Sequence, residues 1–294
     1  MNKKLLVLAL ALIGAGACPF QAHAEDKNSK EIGLTLEAGA DVVSSYLWRG
    51  YNIGGLSIQP SITLDWNGLY ISGWGSIGAD NWTFEEMNPE LDITIGYDNY
   101  GIQVDLTHLY YFGGDAYFPR GGFKPIPEQE SSSTMEAHVG FHMGDIVEKI
   151  PLSIDWHTVI FGADYYINDA GEAQRAWSTY IQVGYDINLP LGLVLGTKIG
   201  MTPWRGLYSN YNEVWKNTKT VAINNINLKL EREFEWKDLY MSIWGECMLN
   251  CYGIDKTNLK AELSNAINDF NSENNSYQRL NWCIGASLYI GNEW

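Results

Sequence analysis

Five side chains lying between Glu136 and His157 are placed to do chemistry together if the chain doubles back between them. A short turn centred between Val147 and Glu148 sets His138 opposite His157 and brings Glu136, His142 and Asp155 alongside them. Imidazole nitrogens and carboxylate oxygens at that separation suit zinc or copper, or can relay protons. The plainer alternative is a hydrogen-bonded polar network, and no second motif supports a metal. No cofactor is therefore assigned, and His138, His157 and His142 stand only as candidate ligands.

Elements that would hold such residues are legible as alternating strands. From Leu56 to Trp66 the apolar Leu56, Ile58, Pro60, Ile62, Leu64 and Trp66 alternate with Ser57, Gln59, Ser61, Thr63 and Asp65, so one face is greasy and the other wet. Asn67-Gly68 follows, the favoured two-residue type I′ turn, and a second strand runs from Leu69 to Ala79. The period of two recurs at Leu34 to Trp48, Leu91 to Tyr97, Ile102 to Tyr110, Met135 to Met143, Leu152 to Thr158 and Trp177 to Tyr185. It continues at Leu191 to Met201, Ala222 to Leu230, Leu239 to Leu249 and Leu280 to Ile290. With the first pair this makes about twelve strands, close to the roughly 9–11 residues that a tilted membrane strand needs. Short connections (Asn67-Gly68, Asp98 to Gly101, Gly144 to Pro151, Asp186 to Pro190, Glu231 to Asp238) alternate with long ones near 49–55, 80–90, 111–134, 163–176, 202–221 and 250–279.

The expected fold is an all-β, transmembrane antiparallel barrel with short periplasmic turns and long extracellular loops. A soluble sandwich or lipocalin-like barrel also alternates, but with its apolar face inward. Aromatic placement favours the membrane: Tyr46, Trp48, Tyr110 and Trp177 lie near loop ends, and Trp66, Tyr97, Tyr185 and Trp294 near turn ends. The segment Trp66 to Gly75 realigns with Trp236 to Gly245 through Trp, Leu, Tyr, Ser, Trp and Gly, either by duplication or by convergence of similar hairpins.

Export is expected from Lys3, Lys4, the apolar run Leu5 to Ala17 and the small-x-small site Ala22-His23-Ala24, giving a signal peptide over 1–24 and a barrel domain over 25–294. Cys18 raises lipidation as an alternative, although Ala15 stands where the lipoprotein box wants Leu. Cys247, Cys251 and Cys283 form an odd set; the first two are roughly 13 Å apart on an extended strand, so all three are taken as packing residues. The whole chain carries a net charge of −16 with 35 acids against 19 bases, which excludes nucleic acid as a partner.

Two sequence elements, Ser45-Tyr46-Leu47-Trp48-Arg49-Gly50 and Gly68-Leu69-Tyr70-Ile71-Ser72-Gly73-Trp74-Gly75-Ser76, resemble the Gcw-type family of conserved hypothetical outer-membrane proteins. That family carries a Tyr-x-aromatic-Arg-Gly element after its first strand and then a Gly-x-Tyr-x-x-x-Trp-x-Ser strand. The match covers about the first sixty residues after the leader, and the remainder only by strand rhythm. It implies a barrel and no reaction.

With greasy residues outside, the other parity lines the interior: Glu37, Asp41, Asp65, Asp92, Asp105, Glu136, Asp155, Asp186, Glu231 and Glu246, against Lys198 and Lys229. Such a lumen attracts cations and rejects anions, unless Tyr70, Trp74, Tyr180, Tyr240 and Trp244 fill it. Arg49 points inward on this parity, and a structural salt bridge at the mouth is its expected role. Loop residues Leu259, Leu263, Ala266, Ile267 and Phe270 have helical spacing after Asn258 and would make a lid, or belong to a surface loop. A lipid hydrolase needs Ser beside His on the lipid face; outward His108 has none two residues away, so no catalytic residue is assigned. The expected function is a porin-like passage for small cationic or neutral solutes in the outer membrane of a Gram-negative bacterium, termini periplasmic. The alternative is a closed scaffold presenting loops for adhesion or assembly. Partners would be outer-membrane lipid and the insertion machinery that reads the last strand ending at Trp294.

Overall fold

A computed structural model describes residues 33–78, 89–112, 133–162, 164–168, 170–204, 206, 208, 221–237, 239–251 and 280–293. The leader with Cys18, the segment Leu259 to Phe270 and Trp294 lie outside the described residues. Twelve strands close one antiparallel barrel: β1 (Leu34–Val43), β4 (Ser57–Trp66), β5 (Leu69–Gly78), β6 (Glu90–Asn99), β7 (Ile102–Tyr111), β8 (Ser133–His142), β9 (Leu152–Gly162), β12 (Thr179–Leu189), β13 (Leu193–Thr202), β14 (Ala222–Trp236), β15 (Leu239–Asn250) and β16 (Leu280–Glu293). The first strand pairs with the last from Thr35↔Glu293 to Val43↔Gly285, which leaves no open edge. Two small hairpins stand apart from the wall, β2 (Tyr46–Trp48) with β3 (Tyr51–Gly54), and β10 (Tyr165–Ile167) with β11 (Ala173–Arg175).

At one end of the barrel the turns are tight because their residues accept positive φ. Asn67-Gly68 (52° and 90°) and Tyr100-Gly101 (55° and 72°) are type I′ in sign, and Leu191-Gly192 (69° and 70°) follows Pro190. The hairpins Trp66↔Leu69 and Trp236↔Leu239 sit at this same end, so the two repeat copies occupy equivalent places in the wall.

Several strand ends differ from the sequence expectation by a few residues, and three of the differences change the layout. Barrel strand β1 ends at Val43, and the alternation that continues through Tyr46 and Trp48 belongs to the separate hairpin β2–β3. The turn expected at Asp186 to Pro190 is formed by Pro190–Gly192, with Ile187 and Leu189 still in strand. Strand β14 runs on through Glu231, Glu233 and Glu235 to Trp236 rather than ending at Leu230; these charges pair with β15 as ladder residues, Glu233↔Ser242 and Glu235↔Tyr240.

The burial pattern is inverted relative to a water-soluble barrel. Asp41, Gln59, Glu90, Asp105, Glu136 and Asn225 are buried, while Ile62, Ile71, Val139, Ile243 and Ile284 are exposed and Ile95 is 61% exposed. A lipocalin-like arrangement, with its apolar face inward, is thereby excluded. Cys247 is exposed, Cys283 is buried, and neither they nor Cys251 is joined in a disulfide.

Inward glycines accept neighbouring rings against the wall. A Cβ on Gly39 would collide with the Tyr289 ring, and one on Gly285 with the indole of Trp244. Tyr289, laid flat over Gly39, donates its hydroxyl to Asp41 at 2.9 Å. Gly39→Ala is expected to lower stability by about 1–3 kcal/mol through overpacking, whereas Gly73→Ala, whose nearest neighbour is Ile62 at 3.8 Å, is expected to change it little. Urea unfolding of the reconstituted barrel, followed by the loss of heat-modifiable gel mobility, measures both.

Candidate functional site

Interior width sets what can happen inside. About eight strands give an interior that side chains just fill, and sixteen to eighteen leave an aqueous channel; twelve leave space that something else must occupy. Here the occupant is the hairpin β2–β3, which leaves the wall between β1 and β4 and turns inward. The strands half-way round the barrel from that point are β9 and β12, flanked by β8. The hairpin's tip reaches them.

At that tip Arg49 adopts a left-handed φ of 46° beside Gly50 (96°). Its guanidinium forms a two-pronged pair with Glu136 of β8, Nη1 to Oε2 at 2.5 Å and Nη2 to Oε1 at 2.7 Å. The Arg49 Cζ also lies 4.8 Å from the Trp48 ring centre, 5.0 Å from Tyr180 of β12 and 4.8 Å from Tyr208. Tyr208, from the connection between β13 and β14, accepts from Arg49 at 2.5 Å and donates to Glu136. Burial opposes the charge on Arg49, but the adjacent Glu136 carboxylate outweighs it and raises the guanidinium pKa above its ordinary value. Burial likewise pushes the Tyr208 hydroxyl well up. The stem of the hairpin is held on the near side, where Tyr46 donates to Glu90 of β6 at 3.1 Å and packs 5.7 Å from Trp74.

Below the tip, polar groups continue along one wall. His157 places Nδ1 3.1 Å from Glu136 and stacks on His138, with ring centres 4.2 Å apart and planes 8° from parallel. The pairing His138↔His157 is the one that the turn position implied. His138 faces Asp105 with Nδ1 at 2.7 Å and Asp155 with Nε2 at 3.2 Å. Carboxylates only accept, so both ring nitrogens donate and His138 has no lone pair for a metal. Two parallel stacked rings also have no common point at which to meet one ion. His142 turns the other way, with Nε2 3.1 Å from Asp155.

The remaining expected lumen residues fall into two levels. Asp41 and Glu136 in the outer half, and Asp105 and Asp155 in the half nearer the tight turns, are buried. Towards the tight turns Glu37, Asp65, Asp186 and Glu231 are partly exposed on the inner face, and Asp92 and Glu246 are partly exposed nearer the loop end. Asp65 accepts from the Gly68 amide at 3.1 Å, Glu231 pairs with Lys229 at 2.8 Å, and Glu246 accepts from Asn227 at 2.5 Å. Asp92 and its cross-strand partner Trp74 present Oδ1 and Nε1 with no hydrogen-bond partner. Tyr46 and Trp48, expected in an outer aromatic ring, instead point into the lumen because the hairpin folds inward; Trp48 packs 5.7 Å from Tyr208. His108 is buried and stands opposite Ile93 and Met135 in the strand ladder. Glu90 and Tyr208 were not singled out from the sequence; Glu90 adjoins the expected start of β6, and Tyr208 carries no local signal at all.

Removing one partner of the central pair leaves a buried charge uncompensated. Arg49→Ala is expected to destabilise the barrel by about 3–5 kcal/mol, with part of that loss recovered in the double variant Arg49→Ala/Glu136→Gln. Arg49→Lys, which keeps the charge but not the two-pronged geometry, is expected to fall between. Unfolding midpoints of the four proteins in one detergent or lipid system check the coupling.

No family model matches the chain, and no curated protein matches it. Among solved structures it is similar to an outer membrane channel from Pseudomonas putida F1, with 11% identity and a TM-score of 0.42 over 92% of this chain and 100% of that one. It is also similar to OmpF of Salmonella typhi, solved as a complex with daunomycin, with 9% identity and a TM-score of 0.36 over 88% of this chain and 97% of that one. Both likenesses are remote in sequence and in superposition.

Proposed function

We propose that the chain is a porin-like channel in the outer membrane of a Gram-negative bacterium, with both termini periplasmic, for passive passage of small cationic or neutral solutes. The observation that carries this is the pairing of an acid-lined interior, whose acids are partly exposed towards the tight turns, with a loop hairpin folded inward rather than out. An apolar exterior supports the membrane placement, since an exposed belt of Ile, Leu and Val is costly in water and favourable in hydrocarbon. Tight turns at one end and long connections at the other support periplasmic termini. Outer-membrane lipid is then the surrounding partner, and the last strand is the element that the insertion machinery would read. Membership of the Gcw-type family belongs to this same reading, on the Tyr46 to Gly50 and Gly68 to Ser76 elements.

Cation preference follows from the lining. Glu37, Asp65 and Asp186 towards the tight turns, and Asp92 and Glu246 further out, line the interior against Lys198 and the Glu231-paired Lys229. Converging carboxylates lower the energy of a cation there and raise that of an anion.

The second reading, a closed scaffold that presents its loops for adhesion or assembly, is favoured by burial at the hairpin tip, where Tyr208 is 1%, Tyr180 2% and Glu136 4% exposed. The two readings separate in planar bilayers under a salt gradient. A channel gives small cation-selective steps in the wild type, and replacing Tyr46–Gly54 by Asn-Gly raises the conductance severalfold. A correctly folded, heat-modifiable barrel that passes no current even without the hairpin contradicts the channel and leaves the scaffold.

A further inference from the structure

At the tight-turn end of the lumen three side chains converge that neither the hairpin contacts nor the histidine stack uses. Asp98 is the last but one residue of β6, His142 closes β8, and Asp145 sits in the one-turn 3-10 helix Met143–Asp145 that follows. One ligand atom from each lies within 4.8 Å of the others. Their backbones are fixed: the His142 amide donates to Gly101 O at 2.8 Å, tying β8 to the turn beside Asp98, and the Ile146 and Val147 amides donate to Met143 O at 3.1 and 2.8 Å, closing the helical turn that carries Asp145.

A separate observation orients the imidazole. Asp155, outside the trio, lies 3.1 Å from His142 Nε2 and can only accept, so that nitrogen carries a proton and, in the neutral imidazole that binds a metal, Nδ1 has the lone pair. Nδ1 is then aimed at the carboxylates, 4.0 Å from Asp145 Oδ2, too far for a hydrogen bond between them. A carboxylate behind one imidazole nitrogen and open donors before the other is the arrangement that prepares a histidine for a metal. Tetrahedral ligands on bonds of about 2.0–2.2 Å stand about 3.3 Å apart, so modest side-chain rotation closes the trio on an ion.

We propose that Asp98, His142 and Asp145 form a binding site for one divalent first-row transition-metal ion at the inner mouth of the barrel, with Asp155 as the positioning residue behind His142. One imidazole with two carboxylates suits zinc, nickel, copper or manganese, while the nitrogen ligand disfavours magnesium and calcium. Binding here displaces no bond of the Arg49–Glu136 pair and does not require that the barrel conduct.

Calorimetric titration of the folded barrel with Zn²⁺ is expected to show one site, with magnesium giving no comparable heat. His142→Ala and Asp145→Asn should each weaken zinc at least tenfold, while Glu148→Gln, an exposed acid in the same connection, should leave it unchanged. Asp145 lies in a turn outside the strands, so its variant reports even if His142→Ala fails to fold. With Cu²⁺ the wild-type electron paramagnetic resonance spectrum should show coupling to a single nitrogen. Equal zinc affinity in Asp145→Asn, or coupling to two nitrogens, would overturn the proposal in favour of the His138–His157 region or of nonspecific binding. A silent bilayer experiment leaves this result untouched, and a failed titration leaves the channel untouched.

Discussion

In hydrocarbon no water is available to satisfy a peptide N–H or C=O, and this constraint dictates most of what the chain does. Twelve strands satisfy one another round a closed ring because β1 and β16 meet in register. Closure then fixes two environments by the period of two: each strand gives alternate residues to an apolar exterior and to an enclosed interior. Ile95 and Thr94 are neighbours in sequence, yet one is exposed outside and the other bonds Thr107 inside at 2.9 Å.

An enclosed polar interior brings its own cost, since buried charge must be paired. The chain meets this by concentrating donors on each buried carboxylate. Glu136 accepts from Arg49, Tyr208 and His157, and Asp105 from Tyr70, Gln103 and His138. Arg49 therefore has two roles that cannot be separated: it neutralises Glu136 and it pins the hairpin across the lumen. Below this crossing Asp105 and Asp155 are paired with His138, while Glu37, Asp65 and Asp186 nearest the tight turns stay partly exposed.

Strand positions, inward parity and even the His138↔His157 pairing were legible in the sequence, because period two and turn residues such as Asn67-Gly68 are local signals. The inward fold of β2–β3 was not, since Tyr46 and Trp48 keep the alternation of β1 and only the Arg49-Gly50 turn distinguishes a hairpin. The end of β14 was hidden because Glu231, Arg232, Glu233 and Glu235 look like a loop, whereas ladder hydrogen bonds do not depend on side-chain charge. Tyr208 and the Asp98–His142–Asp145 trio depend on distant segments meeting at a barrel end, for which no spacing rule exists.

The central claim is that this barrel wears its apolar residues outside, in lipid. Nitroxide labels at Ile95 and at Thr94, on a cysteine-free background in reconstituted vesicles, test it by collision with oxygen and with a water-soluble nickel chelate. The label at position 95 should meet oxygen strongly and the chelate weakly, and the label at 94 should show no such preference for oxygen. Chelate access at position 95 greater than oxygen access would contradict the account.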